Sequence, residues 1–120
     1  MEMKARDLRI GNLIFDHECE PHYFEVEQIS KYVGSELWIV YRKGSVKTKT
    51  AEGIPLTEEW LLKFGFTFSD MIYSFDGFEI LDLKQGLEFY NHDYPIKIKY
   101  VHQLQNLYYA LTQTELTLTK

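Results

Sequence analysis

Met71-Ile72-Tyr73-Ser74-Phe75-Asp76-Gly77-Phe78-Glu79-Ile80-Leu81-Asp82-Leu83 is the stretch that decides the fold class. Two runs rich in aromatic and β-branched residues flank Asp76-Gly77, and an Asp-Gly pair supplies the two left-handed positions that a tight hairpin turn needs. The spacing predicts an antiparallel hairpin of Met71 to Phe75 and Phe78 to Leu83. Lys84-Gln85-Gly86 turns the chain again into Leu87 to His92, and Ile96 to Lys99 can extend the resulting meander.

Helical signals stand on both sides of this meander. In Ile54-Pro55-Leu56-Thr57-Glu58-Glu59-Trp60-Leu61-Leu62-Lys63-Phe64-Gly65-Phe66, Thr57 can cap a helix, two acids follow where the helix dipole favours them, and Gly65 can end it. The predicted helix is about two turns long, with Leu56, Trp60, Leu61 and Phe64 inward, and one so short is stable only when docked. Tyr100 to Thr112 predicts a second helix, because Val101, Leu104, Leu107, Tyr108 and Leu111 fall on one stripe. Leu116 and Leu118 then alternate with threonines, as a final strand or a frayed tail.

Before residue 50 the pattern reads as strands: Leu13 to Asp16, Tyr23 to Ser30, Glu36 to Arg42 and Ser45 to Thr50. A short, bent sheet of this size resembles a small SH3-like barrel. Ile10-Gly11-Asn12-Leu13 would turn the chain into the first strand, the glycine relieving a position that a Cβ would crowd. The expected architecture is therefore α+β: a small SH3-like β-barrel or bent sheet, a short helix, an antiparallel β-meander and a C-terminal helix, packed as one unit. At 120 residues the chain fits a single domain, 1–120, with a β subregion at 8–50 and an α+β subregion at 54–120.

Composition narrows the setting. Hydrophobic residues make up 45% and aromatics 16%, far from the profile of a disordered chain. A single cysteine, Cys19, excludes an internal disulfide and fits a reducing compartment. The charged start has no apolar run behind it, and no stretch approaches the ~20 residues needed to span a bilayer. The expectation is a soluble cytoplasmic protein with no membrane partner. A net charge of -5 argues against broad binding to nucleic acid. Yet Arg42, Lys43, Lys47 and Lys49 form a basic strip, whereas residues 51 to 95 hold nine acids against two lysines.

From Tyr100 to Thr114 there is no charged side chain. The helix face away from the leucine stripe carries His102, Gln105, Asn106 and Tyr109, and solvated faces normally collect Lys and Glu, which contact surfaces lack. This face is expected to be covered, either inside the domain or by a protein partner or second copy. The basic strip, with Trp38 and Tyr41 near enough to stack on bases, gives a nucleic-acid alternative; the competing and favoured reading is that its lysines guard a sheet edge.

Asp16-His17-Glu18-Cys19-Glu20-Pro21-His22 is the only cluster with metal-ligand character. Zinc would accept His17, Cys19 and His22, but the spacing departs from paired knuckles, and an exposed polar loop is favoured. A Cys-His nucleophile drawn from the same loop lacks an orienting group and an oxyanion hole. Glu79, Asp82, Glu88, Tyr90, His92 and Asp93 supply enough acid/base groups for a hydrolase as a further alternative, although such acids also form the ordinary outer face of a sheet. No phosphate loop or dinucleotide fingerprint is present, so no cofactor is implied.

Three phrases carry a resemblance: Leu8-Arg9-Ile10-Gly11-Asn12, the stretch Ile54 to Phe66 quoted above, and Tyr100-Val101-His102-Gln103-Leu104-Gln105-Asn106-Leu107-Tyr108-Tyr109-Ala110-Leu111-Thr112. In these the chain resembles a group of small uncharacterised proteins from Bacteroides-like bacteria and their phages. The resemblance implies a phage-related accessory role and transfers no catalytic or binding residue. The combined expectation is a non-enzymatic protein-interaction module acting through the uncharged helix face.

Overall fold

The computed structural model describes residues 8–15, 23–31, 37–41, 44–47, 52–83, 86–89 and 96–119. The fold is mixed α+β. It divides between Ile54 and Pro55 into two compact units.

The described part of the first unit begins with the Leu8-to-Asn12 turn. Gly11 adopts a left-handed φ of 98°, as the turn into the first strand requires. Asn12 is wholly buried, and its side-chain oxygen accepts the Arg9 backbone N–H at 2.6 Å. The turn is tied to Val26 by a reciprocal pair: Gly11 N–H donates to the Val26 carbonyl, and Val26 N–H to the Asn12 carbonyl, both at 2.8 Å.

This pairing changes the expected strands. Tyr23 to Ser30 is not one strand but two, β2 (Tyr23–Glu25) and β3 (Gln28–Lys31), because the Val26 bonds close the pairing of residues 23–25 with 13–15, whereas residues 28–31 pair with 37–40 in another sheet. With β1 (Leu13–Phe15), β4 (Leu37–Tyr41), β5 (Gly44–Lys47) and β6 (Glu52–Gly53), they form two antiparallel three-stranded sheets, β2-β1-β6 and β3-β4-β5. Among the described residues these sheets do not close into a barrel. Leu8, Ile14 and Val26 form the core, with Phe24 and Ile29 packed against it. β6 falls between the two subregions expected at 8–50 and 54–120.

The second unit holds helix α1 (Glu58–Lys63), strands β7 (Thr67–Ser69), β8 (Ile72–Phe75), β9 (Phe78–Leu83), β10 (Gly86–Phe89) and β11 (Ile96–Ile98), and helix α2 (Val101–Thr112). The strands make one antiparallel sheet in the order β11-β10-β9-β8-β7. The Asp76-Gly77 hairpin is present, both residues at positive φ and Phe75 paired with Phe78. β7 was not foreseen. Asp70 and Met71, at φ 50° and 65°, join it to β8 in a second left-handed turn, although methionine is no turn residue.

Register puts Tyr73, Phe75, Phe78, Ile80, Phe89 and Ile98 on one face of this sheet. There the rings interlock: Phe78 lies 4.7 Å from Phe89 and 5.4 Å from Tyr108 of α2, and Phe66 lies 5.5 Å from Phe75. Each fully buried large side chain on this core, such as Ile80 or Leu104, contributes about 1.5–3 kcal/mol by leaving water.

Helix α1 buries Leu61 and Phe64, with Trp60 only partly covered. Thr57 occupies the N-cap in extended geometry without a capping side-chain hydrogen bond. At the other end Phe66 N–H donates to the Leu61 carbonyl and Gly65 N–H to the Leu62 carbonyl, both at 3.0 Å, the paired pattern of a Schellman stop around a left-handed glycine. The C-terminal tail is neither strand nor frayed. Leu116 is buried, and Thr119 donates to the Lys63 carbonyl from its backbone N–H (2.7 Å) and its hydroxyl (2.8 Å).

Candidate interaction surface

Helix α2 is fixed at both ends without any charge. Gln103 reaches back so that its side-chain oxygen accepts the N–H of Lys99 at 2.9 Å and of Tyr100 at 3.1 Å, two donors that the first turn would otherwise leave to water. At the far end Gln113 turns left-handed and donates its N–H to the Tyr109 carbonyl at 2.7 Å, while the Thr112 hydroxyl donates to the Tyr108 carbonyl at 2.8 Å. The helix enters directly from β11, where Leu56 N–H donates to the Lys99 carbonyl.

The buried side of α2 keeps three of the five stripe residues, Val101, Leu104 and Tyr108, and adds His102 and Gln105, a face rotated toward the amide and imidazole positions. Tyr108, shared by the stripe and the buried side, sits with its ring among Phe75 and Phe78. His102 is 5% exposed, with its ring stacked on Tyr100 at 5.6 Å, and Gln105 is 2% exposed. Two of the four residues expected to make a contact surface are thus already covered, whereas Asn106 is half-buried and Tyr109 exposed.

The same rotation brings leucines out. Leu107 is only half-buried, and Leu111, expected inward, is 55% exposed; Ala110 is exposed beside it. The outward side of the C-terminal half of α2 therefore presents Asn106, Leu107, Tyr109, Ala110 and Leu111. Periodicity alone had placed Leu107 and Leu111 in the core; their exposure shows otherwise.

The other candidates are scattered or undescribed. His17, Cys19 and His22 lie outside the described residues, as do Arg42, Lys43, Lys49, Tyr90, His92 and Asp93. Among the described residues no group of three or more His, Cys, Asp or Glu is placed to hold a metal. Trp38 on β4 is paired in register with Lys47 on β5, and among the described residues β5 ends its sheet.

The acids of the meander divide between faces. Glu88 pairs with Leu81 and so shares a face with Glu79, while Asp82 pairs with Leu87 on the opposite face. Glu88 is buried, Asp82 half-buried and Glu79 exposed. Asp82 instead joins a group that the sequence did not suggest. Burial pushes the Tyr73 phenol above its ordinary 10.0, and the charges of Glu58 and Asp82 and a hydrogen bond to Glu58 add to the rise. Glu58 and Tyr73 are too far apart in sequence for any local pattern to join them.

No described helix is long and apolar enough to cross a membrane. Compared with protein-family models, curated proteins and solved structures, the chain matches none.

Proposed function

We infer that this chain is a non-enzymatic interaction module that docks on a protein partner, or on a second copy of itself, through the outward side of α2. The observation that carries the reading is an uncharged twelve-residue helix whose outward side leaves Leu111 55% and Tyr109 39% exposed. A helix facing only water gains solubility and i,i+4 support from Lys and Glu; one that meets a protein gains from Leu and Tyr and loses by burying charge. His102 and Gln105 fix the helix from within, and Asn106, Leu107, Tyr109 and Leu111 make the contact. On the same reading the first unit is an SH3-like module, supported by its short antiparallel strands, and the setting is a cytoplasmic, phage-related one, supported by the three resembling phrases.

Sedimentation of the wild-type chain and of Tyr109→Glu and Leu111→Glu tests the self-association form, and affinity capture from a bacterial host with the same variants tests the partner form. The reading requires at least one assembly that both substitutions dissolve while the fold survives. A monomer at high concentration, with capture indifferent to both substitutions, refutes it.

A further inference from the structure

A second exposed apolar surface lies at the β7 edge of the sheet and does not depend on the outward side of α2. β7 is a terminal strand of its sheet, and among the described residues no other strand pairs with its outer edge. Thr67, Phe68 and Ser69 are all exposed. Sheet edges in monomeric proteins are commonly blunted by lysine, proline or a covering element, because their free N–H and C=O groups invite another strand. β7 carries neither lysine nor proline. Instead Phe68 stands 46% exposed on the Tyr73 ring, 4.6 Å away, and Met71 stands 57% exposed in a left-handed turn position unfavourable to a Cβ.

The charge around this edge has one sign. Asp70 lies in the turn, and the Glu58 and Asp82 carboxylates bear on Tyr73 beneath Phe68. Between residues 55 and 83 the single base is Lys63, against Glu58, Glu59, Asp70, Asp76, Glu79 and Asp82, and its ammonium is 3.3 Å from Glu59. A second copy would bring the same acids to the same edge, so charge repulsion counts against β7 pairing with itself. We propose that the β7 edge takes up an extended basic segment of a protein partner by strand addition, with Phe68 and Met71 contacting its apolar side chains and Asp70, Glu58 and Asp82 facing its lysines or arginines. Backbone pairing supplies the attachment and the alternate side chains the selection. With only three residues in the strand the ladder is short, and binding is salt-sensitive.

The probes are a short peptide alternating lysine with valine and threonine, and its glutamate counterpart, titrated into the full chain at low and at about 0.5 M salt with amide exchange followed by NMR. The lysine peptide should bind at low salt, weaken at high salt and protect amides at 67–69; the glutamate peptide should not bind. Asp70→Asn and Asp76→Asn remove one charge each from equivalent left-handed turns at opposite ends of β8. The first should weaken binding about two- to fivefold, the range of an exposed ion pair, and the second should leave it unchanged. Phe68→Ser, checked by its thermal melt, should weaken it further. Equal effects of the two Asn variants would reduce the attraction to bulk charge and overturn the proposal. So would equal binding of both peptides, no binding by the folded chain, or protection at 67–69 that arises on concentrating the protein alone.

Discussion

Met71 and Tyr73 show how single residues store and spend free energy on the β7–β8 hairpin. Met71 holds φ 65° while more than half exposed, so its side chain gains little from burial and its backbone bears the left-handed cost. Met71→Gly should therefore raise stability by about 0.5–1 kcal/mol, seen as a higher denaturation midpoint with an unchanged denaturant slope. Tyr73 is 3% exposed, and its phenol is held protonated above 10.0 first by burial, then by the charges of Glu58 and Asp82. Above 10.0 the unfolded chain releases this proton while the folded chain keeps it. The contribution of Tyr73 is thus full below 10.0 and is lost as pH rises through the higher folded value. Tyr73→Phe should cost about 0.5–1.5 kcal/mol near neutrality through the lost hydrogen bond, and its denaturation curve should fall less steeply than the wild type's in alkali. An identical alkaline slope in the two proteins would contradict the assignment.

At the level of elements, the stops and turns tie distant segments together. The end of α1 is a joint for three of them: Gly65 is left-handed at φ 97°, and a Cβ there would lie 3.2 Å from the Phe75 ring and 3.2 Å from the Thr119 methyl. Gly65→Ala should cost about 1–2 kcal/mol from backbone handedness alone, with the crowding adding to it, and thermal melting would register the loss. Removing the Gln103 side chain with Gln103→Ala should cost about 1 kcal/mol, since the N–H groups of Lys99 and Tyr100 lose their acceptor; helicity by circular dichroism together with the melt would show it. These elements differ in how far the sequence exposed them. Asp76-Gly77 announced its hairpin because both residues tolerate positive φ. Asp70-Met71 makes a similar turn, but its methionine carries no such signal, so β7 went unread. The division of Tyr23 to Ser30 at Val26 was also hidden, because hydrophobic alternation continues across it; the break comes from the two halves pairing with different strands, β1 and β4.

For the molecule as a whole, charge acts through its sum as well as its placement. With a net charge of -5 and a pI of about 5.3, the chain should be least soluble near pH 5.3, where self-repulsion vanishes; turbidity against pH would show the minimum, and a flat profile would contradict the prediction. The local patterns of the sequence determined the α+β class, the two helices, the Asp76-Gly77 hairpin and the uncharged character of α2, because caps, turn residues and periodicity act over a few neighbouring residues. Tertiary structure alone decided that the described N-terminal strands form two sheets, that Tyr73 meets Glu58 and Asp82, and that Glu88 and Asp82 stand on opposite faces. It also decided which side of α2 faces outward: periodicity fixes which residues share a stripe, but only the packing of the whole helix fixes how far it is rotated, and with it whether Leu111 or Gln105 meets the solvent.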